Sequence, residues 1–254
     1  MKEELINSFR KELVTLYQDL IDSVKDYKNQ SLRYYAAQWG EYFPSEANDG
    51  ILFIGRATND WHTDSEDVGI LFGDPYKKDT IFNCFDQMIW VENCAKQERS
   101  DMYNSNRSAF WRLIRRIARS HHKIDDIDRF GDLRKIAWSN ICKVAPYSGN
   151  PNDSLYYAQL DIAEKILETE IKYLSPEYLI FLTGWSWAAD TITYLTNQSK
   201  EDIDNRIEWL EWGHNNKYRT GRLEMGNKVF IISEHPQGKN ADAHFNTIIT
   251  LMEK

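Results

Sequence analysis

The sequence has few cysteines and no long apolar run. Its 254 residues include three cysteines, Cys84, Cys94 and Cys142, and no two of them form a C-x-x-C pair. An odd number of widely spaced cysteines argues against a disulfide framework or a cysteine-rich metal site, so we interpret them as buried thiols. The longest apolar run is YLIFL, far short of the ~20 residues that a membrane-spanning helix needs.

A signal peptide and an excess of positive charge are also missing. The N-terminus is charged and lacks the apolar core of a secretion signal, so we expect a cytoplasmic protein without membrane contact. The net charge is −8, which disfavours bulk binding to a polyanion unless a local basic face overrides it. Hydrophobic residues make up 42 % of the chain, which is typical of a globular protein.

Short apolar strands alternate with amphipathic helices along the chain. Apolar spacings of three and four predict an N-terminal helix, which we assign to a helical addition over residues 1–45 of one single domain. The remaining core, residues 50–254, carries four strands that are apolar on both faces, as in a parallel sheet covered by helices. We therefore predict a three-layer α/β/α sandwich with a central four-stranded parallel sheet. The predicted strands are ILFIG (51–55), IAWSNI (136–141), YLIFLTG (178–184) and KVFIIS (228–233).

The intervening segments predict helices and one long loop. Helices are expected over 105–122, after a cap at 152–154, near 187–195 and over 241–252. Residues 197–226 are polar and aromatic without a clear period, which indicates a loop with a short hairpin.

Polar residues follow each predicted strand. Because ligands bind beyond the carboxyl ends of the strands in such sheets, we expect these residues to converge on one rim. They are residues 55–64, Asn140, Lys143 and Pro146, residues 183–187, and residues 234–238.

This collection resembles the uracil-DNA glycosylase superfamily, and most closely its iron–sulfur branch. Four blocks match in order: ILFIGRATN, DVGILFGDP, WSNICKVAPYSGNP and VFIISEHPQG. The chain departs from that branch in several places. The cluster cysteines are missing, so we expect no cofactor and no metal, and Ala57 stands where other branches place a water-activating Asp or Asn. The Gly73–Tyr76 stretch, GDPY, is interpreted as a turn.

The resemblance implies roles for individual residues. Asn140 would read the edge of uracil, Phe72 would stack on the ring, and His235 would donate to O2 as a neutral imidazole. Backbone N–H groups of Gly55, Arg56 and Ala57 would share the role of His235. Water activation would pass to Asn59 or Asp60, or to a carboxylate of Asp64, Glu66 or Asp67, and the sequence leaves this choice open.

Contacts to nucleic acid are predicted on two segments. The helix over 105–122 carries Arg112 and Arg116 opposite its apolar stripe, and the rim carries Lys143, Gln237, Gly238 and Lys239. A solvated basic face is the alternative interpretation of this helix. The loop over 237–243 has no large apolar side chain to insert into a duplex, which leaves single strands or free nucleosides as ligands.

Three hypotheses for function follow. The first is a glycosylase-like hydrolase that removes uracil or another deaminated base from single-stranded or damaged DNA. The second is a catalytically weak or inactive module that binds a nucleotide or nucleic acid on the same fold. The third is an enzyme for a small nucleotide-like ligand, with Arg56 pairing to a phosphate. We expect a monomer.

Overall fold

The computed structural model describes residues 3–41, 43, 50–57, 63–74, 77, 79–82, 84–96, 103–125 and 131–254. Helices in this part of the chain are α1 (Glu3–Ser23), α2 (Val68–Leu71), α3 (Cys84–Lys96), α4 (Ala109–His121), α5 (Gly131–Arg134), α6 (Asp153–Leu174), α7 (Trp185–Thr196), α8 (Lys200–Arg206) and α9 (Ala241–Met252). Strands are β1 (Leu32–Tyr34), β2 (Gln38–Trp39), β3 (Ile51–Gly55), β4 (Ile136–Asn140), β5 (Val144–Pro146), β6 (Tyr178–Leu182), β7 (Glu208–Trp212), β8 (Tyr218–Met225) and β9 (Lys228–Ser233).

A seven-stranded mixed sheet lies at the centre of the molecule, with strand order β2-β4-β3-β6-β9-β8-β7. Neighbours among β4, β3, β6 and β9 run parallel. The outer strands β2, β8 and β7 each pair antiparallel with their inner neighbours. The α/β class is therefore confirmed, but the sheet has seven mixed strands and is not the four-stranded parallel sheet that we predicted.

Three strands, β2, β7 and β8, enlarge the sheet beyond the four strands that we predicted. Residues 197–226, predicted as a loop with a short hairpin, form α8 and the long antiparallel pair β7–β8, which extends the sheet. A two-residue connection then joins β8 to β9, as is usual in a tight hairpin. Separately, β1 and β5 form a two-stranded antiparallel ribbon.

Helices cover both faces of the sheet. Successive residues of β3 alternate between the faces, so Leu52 and Ile54 belong to one buried cluster and Ile51 and Phe53 to the other. Helices α1, α6, α7 and α8 pack on the first face, and α3, α4, α5 and α9 pack on the second. This double coverage explains why the inner strands are apolar at consecutive positions.

The N-terminal helix α1 is part of this core. Its side chains Phe9 and Leu13 are fully buried in the same cluster as Leu52 and Ile54. The ring of Phe9 stacks on Tyr173 of α6 with centroids 4.9 Å apart. The segment that we predicted as a helical addition therefore completes one face of the sheet.

Local capping fixes the helices near the sheet edge. The cap predicted at 152–154 is Asn152, whose side chain accepts a hydrogen bond from the Leu155 N–H at the start of α6. Ser175 ends that helix in a left-handed conformation. Ser108 caps α4 in the same way through the Trp111 N–H, so the helix begins at Ala109. Among the described helices, none combines the length and the apolar character that crossing a bilayer requires.

Candidate functional site

The carboxyl ends of the parallel strands border a cleft of about 370 Å³. Gly55 at the end of β3, Asn140 at the end of β4, and His235 just after β9 all line it. The chain passes from β3 to β4 on one side and later to β6 on the other, so the strand order reverses beside β3. Such a reversal opens a crevice between the loops that leave the sheet in opposite directions, and this is the usual ligand site of the architecture.

Gly55 and Asn140 face each other in the register of β3 and β4. A Cβ atom added at position 55 would overlap Oδ1 of Asn140. Only glycine therefore lets the Asn140 side chain lie across the end of β3.

The Asn140 amide is the most unusual polar group in the cleft. The residue is only 1 % exposed, and its Nδ2 group has no hydrogen-bond partner among the described residues. Leaving a buried amide donor unpaired costs about 1–3 kcal/mol. A group held at such a cost at the edge of a cleft is suited to donate to a ligand.

His235 is a neutral imidazole with a defined tautomer. Burial, with smaller contributions from the positive charges of Arg56 and Lys239, lowers the pKa of His235 to about 4. Its Nδ1 atom accepts a hydrogen bond of 3.3 Å from the backbone N–H of Gln237. The proton of the neutral ring therefore resides on Nε2, which makes this nitrogen a donor.

We expect an NMR titration of the histidine rings to give a pKa of about 4 for His235. The folded protein then carries a neutral ring throughout pH 5.5–8, whereas the unfolded chain binds the proton near pH 6.5. This residue's contribution to stability is complete above pH 6.5 and is lost as the pH falls towards 4, because the unfolded chain is protonated first. Replacing Arg56 by Gln removes one nearby charge and raises the pKa of His235. A measured pKa near 6.5 for His235 in the folded protein would show that its ring is neither buried nor close to the positive charges of Arg56 and Lys239.

Aromatic rings form the walls of the cleft. Phe110 lies nearly parallel to the His235 ring, with centroids 6.3 Å apart and an angle of 17° between the planes. Tyr103, Trp111 and Trp138 also line the cleft. Tyr103 is 48 % exposed and stacks on Trp90 at 6.0 Å, so it presents a flat ring at the cleft. These surfaces suit a planar, aromatic ligand.

Phe72 is not part of this aromatic wall. Its side chain is 2 % exposed and lies in the core, in edge contact with Tyr17 at 5.0 Å and beside Phe82 at 5.7 Å. The side chain of Phe72 therefore does not reach the cleft, contrary to the prediction that it stacks on a base, and Phe110 is the phenylalanine that lines the cleft. We had assigned Phe110 to the apolar stripe of its helix, and its spacing gives no signal that separates a cleft residue from a core residue.

Lys143 is also misplaced by the prediction. Its ammonium group is completely buried and donates to Glu170 Oε2 at 2.6 Å and to Ser139 Oγ at 2.7 Å. Burial lowers the pKa of Lys143, and the carboxylate of Glu170 opposes that shift. A lysine enclosed in this way cannot contact a nucleic acid, so its role is to pair with Glu170 inside the core.

The predicted water-activating residues fall into two groups. Asn59 and Asp60 lie outside the described residues, as do Thr58 and His62 of the same segment. Asp64 forms an ion pair with Arg33 at 3.1 Å, and Asp67 caps α2 through the Gly69 N–H. Neither of these two carboxylates lines the cleft, and neither does Glu66.

Arg56 is anchored where the strand order reverses. Its Nε group donates to the Thr183 carbonyl at 2.9 Å, and its guanidinium lies 5.3 Å from the centre of a Trp187 ring. Burial lowers the pKa of Arg56, and Glu234 opposes the shift. With its Nε group fixed in this way, Arg56 lines the cleft together with the neighbouring Ala57 and with His235.

The other predicted contact residues lie around the His235 loop. Gln237 lines the cleft, and Gly238 takes a positive φ of 74° in the exposed turn that follows. Arg112, Arg116 and Lys239 do not line the cleft. They border an adjoining cavity of about 180 Å³, which also contacts Ala109 and Pro236.

Comparison with models of known protein families and with curated proteins finds no match for this chain. Within the described residues there is also no group of three or more His, Cys, Asp or Glu side chains that are placed to hold a metal ion.

Proposed function

We propose that this protein binds a nucleobase in the cleft and acts as a uracil-DNA glycosylase-like hydrolase. The observation that carries the proposal is the buried amide of Asn140, whose Nδ2 has no partner in the described part of the chain although it lines a cleft with aromatic walls. An amide offers a donor and an acceptor side by side. Uracil presents the complementary pair in its O4 acceptor and its N3–H donor.

The other groups of the cleft match the rest of a uracil ring. Phe110 supplies a face for stacking, and the Nε2–H of His235 supplies a donor for O2. When the bond between the base nitrogen and C1′ of the sugar breaks, its electron pair moves onto the base, and charge develops on O2. A neutral donor fixed beside that oxygen stabilises the transition state more than the ground state.

The hydrolytic water adds to C1′, gives up a proton and completes the cleavage. Asn59 and Asp60, which follow Ala57 closely in the chain, remain our proposed groups for orienting or deprotonating this water. The parallel arrangement of β4, β3, β6 and β9, with the site at their carboxyl ends, supports the proposal of a uracil-DNA glycosylase-like fold.

The test is base excision from oligonucleotides. Excess protein is incubated with single- and double-stranded oligonucleotides that carry one uracil or one hypoxanthine, and abasic sites are detected by alkaline cleavage. We expect excision of uracil, preferentially from the single strand because no apolar wedge follows Gln237. His235→Ala, which removes the O2 donor, should reduce the rate about 10²–10³-fold. Excision that His235→Ala leaves unchanged contradicts the assignment.

A second candidate function is base binding without cleavage. The observation that favours it is the lack of any carboxylate among the described residues that line the cleft. In that case the same oligonucleotides bind but release no base. Binding that depends on Asn140, without abasic sites, identifies the protein as a recognition module. If uracil-containing and uracil-free strands bind equally, both candidate functions fail.

A further inference from the structure

The cavity beside the cleft has a different chemical character from the cleft. It is bordered by the cationic side chains of Arg112, Arg116 and Lys239, and it lies between α4 and the start of α9. Residues that are neighbours in the chain line the two spaces: Ala109 precedes the cleft residue Phe110, and Pro236 separates the cleft residues His235 and Gln237. The cavity therefore adjoins the cleft along α4 and along the loop that follows β9.

The positive charge of the cavity is only partly neutralised. Arg112 is exposed and has no ion pair among the described residues. Lys239 is 14 % exposed at its side chain and lies 4.0 Å from Glu234 Oε2, at the outer limit of an ion pair. The neighbouring Arg115 and Arg119 differ, because both are held by the fully buried carboxylate of Asp132.

Arg116 has a partner that another anion can replace. Its guanidinium contacts Asp242 at 2.5 Å, but the Asp242 side chain is 77 % exposed, and exposed ion pairs contribute little to stability. The guanidinium also lies over the Phe245 ring at 4.0 Å, which holds it in position. The Asp242 carboxylate thus occupies a position that an anion with several oxygen atoms can take. The guanidinium of Arg116, which binds that carboxylate, is also suited to bind a phosphate.

Neither histidine near the cavity adds charge. The His244 ring lines the cavity, but burial, with smaller contributions from Lys239 and His235, lowers its pKa to about 3. Its Nε2 atom is bonded to Ser233 Oγ at 2.7 Å. The amides at the start of α9 are also occupied, since the N–H groups of Asp242 and Ala243 donate to Asn240 Oδ1. Recognition of an anion here therefore rests on Arg112, Arg116 and Lys239.

We propose that this cavity binds a phosphate group of the nucleotide whose base occupies the cleft, with Arg112 and Arg116 as its principal ligands and Asp242 as a competing internal anion. The proposal rests on the proposed function, because the base fixes which phosphate reaches the cavity. It makes the preferred ligand a phosphorylated nucleotide unit of a DNA strand, and it disfavours a free base or nucleoside.

Calorimetric titration of the protein with 2′-deoxyuridine, its 3′-monophosphate, its 5′-monophosphate and inorganic phosphate tests the proposal. We expect one of the two nucleotides to bind at least tenfold more tightly than the nucleoside. Arg112→Gln should weaken the binding of this nucleotide about tenfold. Asp242→Asn should strengthen the binding of the same nucleotide severalfold, because the competing carboxylate is gone. Lys165→Gln, which removes an exposed cation on α6, is the matched control and should have no effect.

The outcomes separate the two proposals. If the nucleoside and both nucleotides bind equally, the base site stands and the phosphate site is wrong. If inorganic phosphate binds with the same dependence on Arg112 and Asp242 but the nucleoside does not bind, the anion site stands and the base site is wrong. Nucleotide binding that neither substitution changes overturns the assignment of the cavity.

Discussion

Replacing Asn140 by Asp is expected to reduce uracil excision, or uracil binding, by about 100-fold or more. The substitution preserves the size of the side chain but replaces the Nδ2 donor with a second acceptor oxygen. That oxygen would face O4 of uracil, so an attractive contact becomes a repulsive one. Loss of a matched buried hydrogen bond costs about 1–3 kcal/mol, and the unfavourable negative charge adds to it. The measurement is the single-turnover rate on a uracil-containing single strand, or the dissociation constant if no excision occurs.

Two comparisons make this result specific. Asn150 also lines the cleft but is exposed, so Asn150→Ala should change the rate much less than Asn140→Ala. The unliganded Asn140→Ala protein should lose little stability, because Nδ2 makes no hydrogen bond to the described residues. A large loss of stability together with unchanged uracil recognition would show that Asn140 is a structural residue.

The largest expected effect on stability comes from the buried Lys143–Glu170 pair. Glu170 is 0 % exposed and accepts three hydrogen bonds: two at Oε2, from Lys143 and Ser139, and one at Oε1 from the Ala37 N–H. Glu170→Gln keeps the shape of the side chain but leaves the Lys143 ammonium buried without its counter-charge. Removing one partner of a buried ion pair costs about 3–5 kcal/mol. We expect that loss in the free energy of unfolding measured with urea.

The same helix provides the control for this prediction. Lys172 pairs with Glu12 of α1 at 2.9 Å, but the two side chains are 61 % and 39 % exposed. Lys172→Ala should therefore cost about 0–1 kcal/mol, the usual range for exposed pairs. Equal costs for Glu170→Gln and Lys172→Ala would contradict the view that burial determines the importance of the first pair.

The sequence predicted the inner part of the fold well. Each of the four predicted strands overlaps a parallel strand of the sheet, because strands buried on both faces are continuous apolar runs. Strands β7 and β8 were predicted only as a short hairpin within a loop, and their place in the sheet was missed for a physical reason. Strand β7 is only partly buried, so its residues do not form such a run. The Gly226–Asn227 pair between β8 and β9 was an available signal for a hairpin.

The site was predicted in part, and the two errors have one cause. Gly55, Arg56, Ala57, Asn140, His235 and Gln237 all line the cleft, because strand ends can be located in a sequence. Phe72 and Lys143 were misplaced because their roles depend on partners that are distant in the chain. Lys143 pairs with a carboxylate 27 residues away, and Phe72 packs against Tyr17 of the first helix. Local sequence does not contain such long-range pairings.

The two edge strands of the sheet, β2 and β7, determine whether copies of the protein can aggregate by pairing their sheets edge to edge. An unpaired strand edge exposes backbone donors and acceptors that can template pairing with another chain. At one edge, β2 is only two residues long, which leaves little backbone for such pairing. At the other edge, β7 carries the exposed acidic side chains of Glu208 and Glu211. Glu208 pairs with Lys254, but a parallel, in-register pairing of β7 with a copy of itself would place two Glu211 carboxylates opposite each other. The short β2 and the charged β7 thus both disfavour growth of the sheet into fibrillar aggregates.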